Sequence, residues 1–172
     1  MYIAIFLLIN ILGGLINQVL FDEDEEIVEV GGSVGSKSGY HVISSLYFKT
    51  NKTTHGPFGH ATEDVFSLPW HKGSLVGFYG LAGYYIDAIG VYLKAYEEII
   101  QVGTWGKNEP GTPQNVWSFQ LEKKHHLKKI TIDHGDLIYS LMFTTQCGDS
   151  THTTPMFGGW NGGEKVSEVN NS

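Results

Sequence analysis

A second cysteine is absent: Cys147 stands alone, so no disulfide can form within the chain and packing must carry its stability. The residues around it, TTQCGDST, match no nucleophile motif, and an idle thiol is the plain reading. Bases are scarce as well. With 11 lysines and arginines against 18 acids the net charge is −7, which argues against a phosphate-binding surface and so against nucleic acid as a partner. The one basic run, Lys123, Lys124, His125, His126, Lys128 and Lys129, reads as a solvated loop and strand edge. Eight histidines show no H-x-x-x-H spacing and the lone cysteine allows no C-x-x-C, so neither a metal nor another cofactor is expected. GGWNGG lacks the strand-to-helix setting of a phosphate loop and reads as a loop between strands.

Helix signals are nearly absent too. The exception is the apolar run at residues 1–21, MYIAIFLLINILGGLINQVLF, with AYEEII a weaker candidate that reads as a short connector. The first run has the length of a signal core or a marginal membrane span. It nevertheless lacks a leading Lys or Arg, is interrupted by Asn10, Gly13, Gly14 and Asn17, and shows no small-x-small cleavage site. A membrane partner is therefore not expected. The segment reads as peripheral, which points to a cytoplasmic or nucleo-cytoplasmic protein, or to a secreted or vacuolar one if residues 1–21 act as a signal. The glycosylation patterns at Asn51-Lys-Thr53 and Asn170-Asn-Ser172 matter only in the second case.

What the sequence has in quantity is turn and strand material: 22 glycines, 13% aromatic and 41% hydrophobic residues, but only 17% charged ones. VISSLYFKT, GSLVGFYG, YIDAIGVYL, NVWSFQLE, KKITID and LIYSLMFTT are β-branched and aromatic runs divided by Gly, Pro, Asn, Asp and Ser. Such spacing predicts an all-β sandwich, barrel or prism. Three stretches then repeat one pattern: Gly39-Tyr-His-Val-Ile-Ser44, Gly83-Tyr-Tyr-Ile-Asp-Ala88 and Gly135-Asp-Leu-Ile-Tyr-Ser140. Each puts a glycine before a β-branched aliphatic residue and a small one, as if three related sheets each needed the same glycine-permitted turn. Ile43 and Tyr139 occupy the repeat position of Asp87.

At these residues the chain resembles a known family. LYFKTNKTTHGPFG followed by FSLPWHKGSLVGFYGLAGYYIDAIGVYL resembles the C-terminal half of a plant jacalin-related lectin domain, of the mannose-binding type. VGTWG, WSF and KKITIDHGDLIYSLMF, with GGWNGGEKVSEV, resemble its N-terminal half. The resemblance implies an all-β fold, a β-prism of three four-stranded Greek-key sheets, which binds sugars and catalyses nothing. The domain would cover residues 22–169, made of 22–96 and 99–169. The halves stand in reversed order, so two readings stay open: one circularly permuted prism, or a fragment of a tandem array holding the end of one repeat and the start of the next. Permutation needs only the short connector Lys94 to Gln101, because first and last strands share a sheet in the family's fold.

The resemblance also implies a site. Asp87 would accept hydrogen bonds from two sugar hydroxyls, the backbone amides of Tyr84 and Tyr85 would donate to sugar oxygens, and Gly83 would permit the tight turn. A tyrosine ring there would stack on the C–H face of the sugar. The facing loop departs from the family's glycine-rich pattern: it reads Trp105-Gly-Lys-Asn-Glu-Pro-Gly-Thr-Pro-Gln-Asn-Val-Trp117, with Gly111 the candidate equivalent donor and Pro110 and Pro113 without one. Mono- or oligosaccharides and glycoproteins are the expected partners, with mannose or glucose favoured over galactose, and a homo-oligomer is compatible with weak single sites. The competing class is a prism without sugar binding, serving structure or protein contacts.

Overall fold

A computed structural model describes residues 10–11, 14–106, 115–160 and 164–165, and every regular element in it is a strand. In chain order these are β1 (Asn10–Ile11), β2 (Gly14–Leu20), β3 (Ile27–Lys37), β4 (Tyr40–Thr50), β5 (Thr54–Gly59), β6 (Val65–Pro69), β7 (Ser74–Ala82) and β8 (Ile86–Ala95). Then follow β9 (Glu98–Gly106), β10 (Asn115–Gln120), β11 (His126–His134), β12 (Ile138–Cys147), β13 (Ser150–Thr153), β14 (Phe157–Trp160) and β15 (Glu164–Lys165).

They form three antiparallel sheets. One runs β5-β4-β3-β6 and a second β10-β7-β8-β9. The third is β2-β11-β12 with its fourth position shared by β13 and β14, which both pair with β12; β1 and β15 extend its ends. The fold is thus the expected prism of three four-stranded sheets. Phe48, Phe78 and Phe143, one from each sheet, are fully buried and meet at the centre, with ring centroids 6.1 Å apart for Phe48 and Phe78 and 4.9 Å for Phe78 and Phe143. Phe119 also stacks on Phe143, at 4.9 Å. Each sheet therefore hides its inner face against the other two, which is how a small all-β domain removes its apolar surface from water.

Two sheets join strands from before and after Tyr96. β9 and β10 complete the sheet begun by β7 and β8, and β2 pairs with β11 from Lys129↔Leu20 to His134↔Leu15. The N-terminal run is consequently not helical where it is described. Gly13 and Gly14 disfavour a helix, and β2 buries Val19 in the common core, so a strand of the prism lies ahead of residue 22. AYEEII is not a helix either: β8 turns into β9 through Tyr96 and Glu97, with Tyr96 at φ 60° and Ala95 paired to Glu98. The GGW of GGWNGG is strand, not loop. Lys128 and Lys129 lie on β11, a central strand rather than an edge, because β2 covers its other side.

Asn17, an interruption to an apolar helix, has a different role in a strand. Its Oδ1 lies 2.6 Å from His134 Nε2, while the Gly59 amide donates to His134 Nδ1 at 3.1 Å. The acceptor role of Nδ1 fixes the neutral tautomer with its proton on Nε2. His134 is buried, and desolvation holds it below the usual histidine range. This one ring ties β2, β5 and β11 together.

Candidate functional site

The three sequence repeats fold into three β-hairpins at one end of the prism. β7–β8 and β11–β12 turn with the same bond, Gly83 N–H to Tyr85 O at 3.0 Å and Gly135 N–H to Leu137 O at 3.0 Å. The β3–β4 hairpin is tighter, with Ser38 and Gly39 at φ 53° and 86° between the paired Lys37 and Tyr40. Just after each turn the ladder skips one residue. Register passes from Leu81↔Ala88 to Ala82↔Ile86, from Asp133↔Ser140 to His134↔Ile138, and from Ser33↔Ser45 to Val34↔Ile43. The bulged residues are Asp87, Tyr139 and Ser44.

A glycine closes over each bulge. A Cβ on Gly106, Gly158 or Gly59 would lie 2.1 Å from the carbonyl oxygen of Asp87, Tyr139 or Ser44 respectively, and all three have positive φ, between 82° and 103°. These contacts set the threefold correspondence, and they correct one expectation. The counterpart of Asp87 in the first repeat is Ser44, not Ile43, whose side chain points into the core and is fully buried. A bulge re-aims the side chain it carries, so a spacing count alone misses by one residue.

The three positions have different fates. Ser44 is sealed: its hydroxyl bonds Ser33 Oγ at 2.8 Å, its carbonyl accepts from the His60 amide, and Thr62 donates its amide to Ser33 Oγ. Tyr139 presents a half-buried ring 5.9 Å from that of Tyr85. At Asp87 alone does a carboxylate stand on the bulge. It is 7% exposed, and burial raises its pKa to about 6, partly offset by the Gly83 backbone amide. Among the described residues the Tyr84 and Tyr85 amides have no backbone acceptor, and Tyr84 is 50% exposed. Gly83, Tyr84, Tyr85 and Asp87 are thus gathered in one turn: a carboxylate acceptor, two unspent donors and a tyrosine ring within a few residues.

Gly111 lies outside the described residues. The strands on either side of its segment flank the Asp87 loop, however: Gly106 pairs with Ala88 and Asn115 with Ala82. Trp105 anchors the near end by stacking on Phe66 at 4.8 Å, and Trp117 the far end on Phe157 at 4.7 Å. On the opposite flank, β14 approaches so closely that a Cβ on Gly159 would lie 2.6 Å from the Tyr84 carbonyl. The closeness of β14 was not readable in the sequence, where GGWNGG looked like a loop. Among the described residues no group of three His, Cys, Asp or Glu side chains could hold a metal, and no helix is long and apolar enough to cross a membrane.

Comparison with known proteins agrees with this geometry. Residues 10–92 match the jacalin-like lectin domain. A mannose/glucose-specific lectin of Parkia pendula is 37% identical over 139 residues, covering 80% of this chain and 29% of the relative. The agglutinin alpha chain of Maclura pomifera is 54% identical over 69 residues, 40% of this chain and 52% of the relative. The chain thus spans only part of the relatives it matches. In fold it is similar to the prostate-specific WGA16 glycoprotein lectin, with a TM-score of 0.61 over 78% of this chain and 92% of that one at 12% identity. With its three-sheet prism and its matched residues 10–92, the chain carries a jacalin-like lectin domain, and the relatives it matches are lectins and agglutinins, which bind carbohydrate and are not enzymes.

Proposed function

We propose that this chain binds a mannose- or glucose-type hexose in the turn Gly83–Asp87. The Asp87 carboxylate accepts from two adjacent hydroxyls, the Tyr84 and Tyr85 amides donate to sugar oxygens, and a tyrosine ring covers the C–H face. The observation that carries this reading is the contrast among the three bulges. Ser44 and Tyr139 make the same backbone without a carboxylate, so Asp87 is not needed for the fold and its partial burial works against it.

Two observations favour mannose or glucose. The Parkia relative, named as mannose/glucose-specific, aligns over both stretches of this chain, whereas the galactose-specific lectin of Morus indica aligns over 69 residues at 52% identity. In the resembled galactose type a freed N-terminal glycine joins the site, yet here β9 continues from β8 through a two-residue turn. The match to the Morus lectin keeps galactose as the second reading. We also infer that the chain before and after Tyr96 forms one permuted prism, because two of the three sheets contain strands from both sides of that residue. A site with so few contacts binds at roughly millimolar strength, about 4 kcal/mol, and gains from display on a homo-oligomer or a multivalent glycoprotein.

The test is a glycan array with multivalent display of wild type and Asp87→Ala. A mannoside signal lost on substitution supports the reading. Silence of the wild type on every glycan would leave the non-binding structural prism instead.

A further inference from the structure

The end of the prism opposite the three hairpin turns holds a cavity of about 430 Å³. It lies where the hairpins open: Ser74 and Lys94 are the outermost pair of β7 and β8, His126 and Gln146 a pair at the open end of β11 and β12, and Ile27 and Thr50 that of β3 and β4. Phe21, Ile27, Leu75, Val76, Leu121 and Leu127 give it apolar walls. Two ladder irregularities pin those walls in place. Val76, passed over between Leu75 and Gly77, accepts the Leu121 amide on its carbonyl at 2.7 Å, and Lys128, passed over between Leu127 and Lys129, accepts that of Phe21 at 3.0 Å. One nitrogen is out of keeping with them. His126, from the basic run of the sequence, lines the cavity, and its Nε2 is buried without a hydrogen-bond partner among the described residues. Buried polar atoms in folded proteins are nearly always paired, so an orphan beside a cavity points to a ligand atom as its partner.

We propose that this cavity binds a small neutral molecule made of an apolar ring system and one hydroxyl, with the hydroxyl on His126 Nε2. A hydroxyl both donates and accepts, so it pairs with that nitrogen in either neutral tautomer. The imidazole is only part-buried, and a turn about its Cβ–Cγ bond brings Nε2 to the ligand. Charges around the cavity are mixed: Lys94 and Lys123 stand with Glu25, Glu26 and Glu122. Glu25 is spent on Thr50 and His55, at 2.8 Å and 2.9 Å, and Glu122 faces His125 at 3.9 Å. Neither sign dominates, so an ionic head group is not selected. The cavity stands apart from the sugar reading, since Asp87 lies at the other end of the prism.

Fluorescence titration of the full chain with 2-naphthol and with 2-methylnaphthalene tests this. The two probes have nearly the same shape and differ in the hydroxyl. Wild type should bind 2-naphthol about fivefold more tightly, the scale of one buried hydrogen bond, and His126→Phe should bring that ratio to about one. Long-range proton–nitrogen NMR on the wild type gives a readout that depends on no variant: the His126 Nε2 resonance must move further with 2-naphthol than with 2-methylnaphthalene. Excess methyl α-mannoside should displace neither probe. A wild type that binds neither probe, or binds both equally, overturns the proposal, as does a preference kept in His126→Phe. Displacement by the mannoside would put the probes in the Asp87 turn and overturn it too.

Discussion

Gly106 lies so close to Asp87 that a Cβ on it would stand 2.1 Å from the Asp87 carbonyl oxygen. That approach, at a φ of 93°, holds the bulge on which the carboxylate rides. Gly106→Ala meets both a steric clash with backbone and a backbone conformation that L residues rarely adopt. We expect a loss of at least about 1–3 kcal/mol in denaturant melts, together with loss of glycan binding. An alanine variant as stable as wild type would contradict the geometry.

Asp87 couples binding to acidity. With its pKa at about 6, the carboxylate proposed to accept sugar hydroxyls becomes protonated as pH falls. If the ionised form alone binds, apparent affinity at pH 5 should be roughly tenfold weaker than at pH 7.5. Calorimetry at the two values checks this, and a flat profile counts against the carboxylate.

The same group has the opposite effect on stability. Its folded pKa is raised above the ordinary 3.8, so between those values the native state holds a proton that the unfolded chain has lost. The stability due to this group therefore falls as pH rises through that window, and above about 6 its burial opposes folding in full. Asp87→Asn should melt at or above the wild-type temperature at pH 7 while losing sugar binding. A large drop in melting temperature would mean that the carboxylate holds the turn.

His134 runs the other way. Its folded pKa is lowered by burial, so the stability it provides is present above the ordinary histidine value of 6.5 and is lost as pH falls through the folded value. Protonation of Nδ1 would take away the acceptor of the Gly59 amide. Asn17→Ala leaves the Nε2 proton buried without its acceptor, at a cost of about 1–3 kcal/mol. Denaturant melts of the two proteins at pH 7.5 measure that difference. In His134→Gln the acid loss seen in wild type should be reduced.

Phe78 touches Phe48 and Phe143, which belong to the other two sheets. Phe78→Ala should cost about 3–5 kcal/mol and lower a single transition followed by both near- and far-ultraviolet circular dichroism. Two separate transitions would show that the stretches before and after Tyr96 do not share one core.

Much of this arrangement was legible in the residues. Strand runs such as VISSLYFKT and LIYSLMFTT are rich in β-branched and aromatic residues and are followed by turn formers, and the Gly-x-x-x-Asp spacing pointed to the one hairpin whose bulge carries an acid. What stayed hidden depends on partners distant in sequence. Asn17 looks like a flaw in an apolar segment until His134, far along the chain, is placed beside it. The bulge in β4 falls on Ser44 because register there is set by β3 and β5, so counting from Gly39 selected Ile43 instead. β14 was misread because GGW has little side-chain pattern to mark a strand. Its glycines are there because the Tyr84 and Tyr139 backbones leave no room for a Cβ.

The three glycine-closed bulges share one backbone and carry three different side chains, so what each can offer a ligand is set by the side chain and not by the backbone. Where Thr62 is tucked against Ser33, the chain has plugged one position with its own hydroxyl; where Tyr139 stands, a single codon separates a ring from an acid. On the proposed reading of Asp87, a domain of this design can change its number of sugar sites without refolding. Tyr139→Asp is the shortest route from one carboxylate to two on the same end of the prism.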